Sequence, residues 1–169
     1  MGKGLLALKA RYDYLLELVA DRGYKKGAEI GLWYGKTFFH LLDHVPELIL
    51  YGIDIWSTCD ASHDRDQEKN RRIVYAKAGE YPGAKILEIE SMQAIKAFHP
   101  ASLDFVFIDA DHTQKAVKDD ILAWKNIVRP GGILCGDDYD MESVKSVVDE
   151  LAPEAHIEGG FFWWKEIEI

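Results

Sequence analysis

The sequence predicts an α/β domain on a doubly wound, mostly parallel sheet of seven strands, ending in an antiparallel hairpin. Three observations carry that expectation. Short apolar runs of strand length alternate along the chain with segments of helical periodicity. The runs "LILYGIDI" and "LDFVFIDA" are almost continuously apolar, as parallel strands covered on both faces are. Finally, "AHIE" and "FFWWKEIEI" are joined tightly through Gly159 and Gly160, which suits a hairpin.

The elements follow in order. Leu5, Leu8, Tyr12, Leu15, Leu16 and Val19 recur at helical spacing, so a helix is expected over residues 4–22, with Gly23 as its C-cap. "GAEIGL" is a short strand that ends in glycine. "KTFFHLLDHV" is a helix stopped before Pro46. "LILYGIDI" is the second strand. The polar stretch "WSTCDASHDRDQE" is either a functional loop or a solvated connection, and helical character resumes from Asn70 to Gly79. "AKILEIE" is a strand, followed by a short helix near Met92 to Phe98. "LDFVFIDA" is the fourth strand. "TQKAVKDDILAWKNIV" is a helix whose apolar side is Ala116, Val117, Ile121, Leu122, Trp124 and Val128. Pro130, Gly131 and Gly132 punctuate before the strand "ILCG". "MESVKSVVDEL" is the last helix before the hairpin. No repeat, linker or low-complexity run divides the chain, so residues 1–169 are expected to form one domain.

Composition narrows the class. The chain has 169 residues, 48% hydrophobic and 29% charged, enough for a substantial core. No apolar stretch approaches the roughly 20 residues that span a bilayer, and charges interrupt the N-terminal apolar positions, unlike a signal peptide. Cys59 and Cys135 are too far apart in sequence to form a zinc motif or disulfide framework. These features predict a cytoplasmic protein with no membrane partner. The net charge of −9 argues against nucleic acid, which needs a basic surface. Lys25 with Lys26, and Arg71 with Arg72, are expected to be solvated surface.

In such a sheet, ligands bind beyond the C-terminal strand ends, near the point where strand order reverses. An acidic residue stands at or just beyond each of the first five strand ends: Glu29, Asp54, Glu90, Asp109 with Asp111, and Asp137 with Asp138. That clustering is the main functional signal. In "EIGLWYGKT", Gly31 and Gly35 allow a tight turn and close approach of a ligand. Glu29 suits a hydrogen-donating or positive ligand group better than a pyrophosphate, and the G-x-G-x-x-G of dinucleotide sites is absent. Asp54 can accept hydrogen bonds from two ribose hydroxyls or cap a turn. Ser91, after Glu90, can hold an adenine edge or N-cap the next helix. Asp137 and Asp138 would repel each other without a positive partner. They could instead open the following helix as cap and first-turn acid.

"EIGLWYGKT", "YGIDIW", "LDFVFIDADH" and "RPGGILCGDDY", in this order and spacing, resemble class I S-adenosylmethionine-dependent methyltransferases. Within that group they are similar to the metal-dependent small-molecule O-methyltransferases of the sugar and catechol type, over about Gly27 to Tyr139. The resemblance implies a Rossmann-like methyltransferase fold. It also implies that Glu29, Gly31, Gly35, Asp54, Glu90, Ser91 and Asp109 bind S-adenosylmethionine. Asp109, Asp137 and Asp138 match positions that hold Mg²⁺ or a similar divalent cation. Asp111 matches a general base of sugar-modifying relatives, with His112 as the second candidate.

The expected activity is methyl transfer to a hydroxyl of a small-molecule acceptor, assisted by the metal. Trp33, Tyr34, Trp56 and Tyr139 are candidate walls of the acceptor pocket or ordinary packing. Little sequence remains to cover the site, so a homodimer is expected in which a second subunit supplies the lid. Three alternatives stay open: a metal-independent methyltransferase with the acids as caps, a non-catalytic S-adenosylmethionine-binding module, and a nicotinamide-dependent oxidoreductase.

Overall fold

The computed structural model describes residues 9–56 and 66–168. Seven strands form one sheet in the order β3-β2-β1-β4-β5-β7-β6. They are β1 (Lys26–Ile30), β2 (Ile49–Asp54), β3 (Ala84–Glu88), β4 (Leu103–Ile108), β5 (Val128–Gly136), β6 (His156–Glu158) and β7 (Phe162–Glu166). The first five pair in parallel, while β7 runs antiparallel to β5 and to β6. The helices are α1 (Arg11–Asp21), α2 (Lys36–His44), α3 (Gln67–Ala78), α4 (Ser91–Ala94), α5 (Gln114–Trp124) and α6 (Glu142–Leu151), with a 3-10 turn at Ile95–Ala97. This is the doubly wound, mostly parallel architecture with an antiparallel end that the alternation of elements predicts.

Continuous apolar strands follow from burial on both faces. On β4, Val106 and Ile108 point into a layer with Val117, Ile121 and Trp124 of α5 and Val144 and Val148 of α6. Phe105 and Phe107, one residue out of phase, join Leu15 and Val19 of α1 and Phe38 and Leu41 of α2. A strand's period of two therefore feeds two cores, so no polar face interrupts the run. Trp124 and Phe105 are both fully buried, one in each layer.

Several boundaries differ from the sequence expectation. Helix α1 begins at Arg11, with Lys9 and Ala10 outside it, and residues 4–8 of the expected helix over 4–22 lie outside the described residues. The polar stretch after Trp56 falls largely at 57–65, including Cys59, and also lies outside them. Pro130, Gly131 and Gly132 do not end the strand before "ILCG"; β5 runs through them. Val128 still pairs with Leu103, and the ladder shifts register before Phe105 meets Ile133. The Pro-Gly-Gly stretch absorbs this irregularity while Gly131 N–H donates to Ile167 O and Gly132 O accepts from Ile167 N–H, both at 2.8 Å. The expected helix "TQKAVKDDILAWKNIV" closes at Trp124, and its Val128 belongs to β5. The basic pairs are surface groups, with Lys25 on Glu47, Arg71 on Glu88 and Arg72 on Glu68. No helix among the described residues is long and apolar enough to cross a membrane.

Candidate active site

Strand order reverses between β1 and β4, and an open cleft of about 1140 Å³ lies across the C-terminal strand ends there. Small-ligand sites commonly enclose about 300–1,000 Å³, so the cleft has room for two small ligands together. Gly31, Asp54, Glu90, Ser91, Asp109, Asp111, His112 and Asp138 all line it. The fold thus brings eight of the expected site residues to one cavity from five strand ends. Glu29, Gly35 and Asp137 are not in its lining.

The first turn explains the glycine requirement. Gly31 has φ +89°, and a Cβ there would lie 2.1 Å from the backbone oxygen of Asp109. Gly31 N–H donates to Ile53 O at 2.9 Å, so the turn is tied to β2 while pressed against β4. Gly35 instead N-caps α2 in a left-handed conformation and faces a separate hollow with Tyr12, Lys36 and His40. It thus lies outside the cleft at which a cofactor contact is expected of it.

Asp54 organises the loops on the β2 side. Its Oδ2 accepts from the backbone N–H of Leu32 at 2.8 Å and Trp33 at 2.9 Å, and its Oδ1 accepts from Trp56 N–H at 2.7 Å. The indole N–H of Trp56 donates to Trp33 O at 2.8 Å. One carboxylate therefore clasps two loops and still has room to accept on Oδ1. Trp33 and Trp56 have φ of +52° and +43°, and Asp138 has +58°. Left-handed backbone at such bulky residues is strained and concentrates at functional sites.

Glu90 is the N-cap of α4 without a side-chain cap bond, so Ser91 is not the cap. The Ser91 hydroxyl instead contacts the Asp120 carboxyl and accepts from the Trp124 indole N–H at 2.7 Å. Sequence reading missed Asp120, although it shares the buried face of α5 with Val117, Ile121 and Trp124 at spacings of three and four. A polar residue on an apolar stripe was the available signal. Asp120 is 5% exposed, and burial pushes its carboxyl up to about 6.

The sign of that shift gives a prediction. The native state holds this proton more tightly than the unfolded chain, whose aspartates titrate near about 3.9. Stability then falls as pH rises from about 4 to 6 and stays lower above, by roughly 2–3 kcal/mol. Asp120→Asn is expected to lessen that decline and raise the urea midpoint at pH 7. Equal slopes for wild type and variant across this range would exclude Asp120 as the titrating group.

On the β4–β5 side, charges are interleaved. Arg11, the first residue of α1, places Nη1 3.1 Å from Asp109 Oδ2 and in closer contact with Asp137 Oδ2. His112 Nε2 lies 2.7 Å from Asp138 Oδ2 and 3.9 Å from Asp109 Oδ1. Contacts with Asp109 and then Asp138 push the imidazole up to about 10, so it is an imidazolium at neutral pH. Burial pushes Asp137 up to about 6 and also raises Asp109, while His112 lowers Asp138. Glu29 is 2% exposed and is driven well above the carboxylate range, chiefly by burial. Its Oε2 has no hydrogen-bond partner among the described residues.

Capping does not explain the acids after β5. Helix α6 is N-capped by Met141, so neither Asp137 nor Asp138 caps it. Thr113 caps α5, its hydroxyl accepting from Ala116 N–H at 3.3 Å, and Asp111 Oδ1 accepts from Thr113 N–H at 2.7 Å. Of the expected three-carboxylate metal set, Arg11 contacts Asp137 and one side of Asp109. The group that could converge on an ion is Asp109, His112 and Asp138, whose ligand atoms lie within 4.8 Å of one another. A nitrogen-containing set of that kind departs from the oxygen-only preference of Mg²⁺. The expected wall residues also separate. Trp33 lines the cleft, Tyr34 faces the α2 hollow, Trp56 is buried, and Tyr139 donates its hydroxyl to Asp149 at 2.7 Å.

Comparison with known proteins agrees with this geometry. Residues 28–139 match the family described as "Methyltransferase domain". The chain belongs to this family, and its fold is the Rossmann-like methyltransferase fold. Cofactor-bound Rv0187 from MTB is similar over 98% of this chain and 84% of its own, at 16% identity and a TM-score of 0.71. The O-methyltransferase TomG from Streptomyces achromogenes, solved in complex with SAM, is similar over 98% of this chain and 84% of its own, at 18% identity and a TM-score of 0.68. The O-methyltransferase from Bacillus cereus, in complex with SAH, covers 96% of this chain and 84% of its own, at 20% identity and a TM-score of 0.65. A search of curated proteins finds no significant match.

Proposed function

We propose that this methyltransferase moves the methyl group of S-adenosylmethionine to a hydroxyl oxygen of a small molecule. The observation that carries the reading is the cleft at the switch point, where Gly31, Asp54 and Ser91 line the β1–β3 side and Asp109, Asp111 and Asp138 the β4–β5 side. The bound SAM of TomG and SAH of the Bacillus cereus enzyme, on the same fold, support the same donor here. S-adenosylmethionine supplies a methyl group on a sulfonium sulfur, which keeps the C–S electron pair when the acceptor oxygen takes the methyl.

The chain's residues divide the remaining work. Asp54 accepts from the ribose hydroxyls, and the Gly31 turn lets backbone approach the methionine part. The Glu90–Ser91 corner borders the adenine. Asp111, exposed at the cleft, takes the acceptor's hydroxyl proton. His112 is pinned between Asp109 and Asp138 and positions charge, so it is not the base. Positioning of acceptor oxygen, methyl carbon and sulfur in line supplies much of the rate. Apolar side chains exposed at the mouth (Trp33, Ile55, Met92 and Met141) favour an acceptor with an apolar body.

Asp111→Asn is expected to lower kcat by about 10²–10⁴-fold with S-adenosylmethionine binding retained. The measurement is tritiated-methyl transfer to a panel of sugars, phenols and hydroxylated lipid precursors, beside calorimetric titration of the donor. Full activity in the variant would remove Asp111 as the base. Absence of donor binding by wild-type protein would sink the whole reading.

A further inference from the structure

We infer that Arg11 is a built-in cation of the acceptor site, its guanidinium bridging Asp109 and Asp137 where a divalent ion would otherwise have to sit. The inference deepens the proposed function, and rests on it only for the consequence in catalysis.

Three carboxylates, Asp109, Asp137 and Asp138, lie together beyond the ends of β4 and β5, with Asp109 and Asp138 in the cleft lining and Asp137 outside it. Such a group is stable only with positive charge between its members. Arg11 supplies part of that charge from far away in sequence: it reaches Asp137 across 126 positions, and its Nη1 is also 3.1 Å from Asp109 Oδ2. His112 Nε2 lies 2.7 Å from Asp138 Oδ2 on the other side of the group. Arg11 thus sets a permanent positive charge between the Asp109 and Asp137 carboxylates. A divalent ion would have to compete with the guanidinium for Asp109 Oδ2 and Asp137 Oδ2, and then tolerate it as a like-charged neighbour.

The placement of Arg11 is built into the fold. It opens α1, whose Leu15 and Val19 are fully buried in the layer beneath the sheet. Tyr14, three residues on, stacks on Phe162 of β7 with ring centres 5.9 Å apart and meets Phe161 edge-on at 6.0 Å. The helix is thereby fixed against the sheet beside β5, and Arg11 is presented to Asp137 at the end of that strand. A guanidinium is planar, permanently charged and suited to two carboxylates at once. It can hold an acidic acceptor site together at any magnesium concentration.

The test reads cation binding directly, on the full chain and without donor or acceptor. Mn²⁺ titration followed by electron paramagnetic resonance, and the Tm with and without Mg²⁺, are compared for wild type, Arg11→Met, Arg11→Lys and the double variant Arg11→Met/Asp137→Asn. Wild type and Arg11→Lys are expected to bind Mn²⁺ weakly, with no Mg²⁺ shift in Tm. Arg11→Met is expected to bind Mn²⁺ at least roughly tenfold more tightly and to gain a Mg²⁺-dependent rise in Tm. The double variant should lose that gain, which a merely structural role for Arg11 would not produce.

Equal Mn²⁺ affinity in wild type and Arg11→Met, or no gain in Arg11→Met, overturns the inference. Should Arg11→Met fail to fold, the wild-type titration still decides. Micromolar Mn²⁺ binding by wild type overturns the inference, and its absence together with donor-dependent methyl transfer undiminished in EDTA supports it. Because no donor enters the cation titration, its failure leaves the methyl-transfer reading standing. Failure of donor binding by wild type sinks only that reading.

Discussion

Gly31→Ala is expected to destabilise the domain by roughly 4 kcal/mol, a large share of the 5–15 kcal/mol typical of a domain. Two costs add. The native φ of +89° is one that a residue with a Cβ avoids. The new Cβ would also meet the Asp109 carbonyl oxygen at 2.1 Å, and its carbon at 2.6 Å. That neighbour is backbone at the end of a central strand, so no rotamer change relieves the clash. Either β1 and β4 separate at their ends or the turn is rebuilt, and both move the Asp109 carboxylate away from Arg11. The check is a urea denaturation midpoint for wild type and variant, with donor titration on whatever folds. A midpoint within error of wild type would mean that the turn is not pressed against β4 as described.

Asp54→Ala is expected to weaken S-adenosylmethionine binding by at least roughly 100-fold and to destabilise the fold by about 3–6 kcal/mol. The second figure follows from the bonds lost. Three backbone N–H groups donate to this carboxylate, and hydrogen bonds to a charged group contribute about 1.5–3 kcal/mol each. Leu32 is 3% exposed, so water does not readily replace its lost acceptor, whereas Trp33 is 47% exposed and its N–H can be hydrated. Binding suffers twice, through the missing ribose contact and through release of the two loops that Asp54 clasps. Calorimetric titration on protein with an intact far-UV spectrum makes the comparison. Unchanged affinity in a well-folded variant would take Asp54 out of the donor site.

Much of the fold was legible because its signals are local. The alternation of "LILYGIDI" and "LDFVFIDA" with helical segments needs only the two periods and the covalent order. The acids at the strand ends were legible for the same reason, since a parallel sheet must deliver all of those ends to one edge. Less visible were the start of α1 and the passage of β5 through Pro130, Gly131 and Gly132. Both depend on partners elsewhere, the latter on Leu103 in β4 and Ile167 beyond β7. Gly35 looked equivalent to Gly31 in the sequence. Their φ values are alike, +79° and +89°, and only the surroundings separate a helix cap beside Phe39 from a turn against β4.

The charged part of the site shows the same division. That Asp109, Asp137 and Asp138 would converge was written in the sequence, as was their need for positive charge. That the charge comes from Arg11 was not, because nothing in the periodicity of α1 marks this arginine from others on the surface. Nor did the pattern reveal the Ser91–Asp120–Trp124 contacts, which join α4 to α5 across about 30 residues.

By itself, then, the sequence determined the class of sheet, the edge on which ligands meet it and the acidic character of that edge. These depend on neighbours along the chain and on a strand geometry common to all such folds. The tertiary structure alone decided which cation faces which carboxylate, which glycine the site requires, and which serine and tryptophan are spoken for within the core. Those pairings depend on the order β3-β2-β1-β4-β5-β7-β6 and on the seating of each helix. They are set by packing over long separations, for which a linear pattern carries no signal.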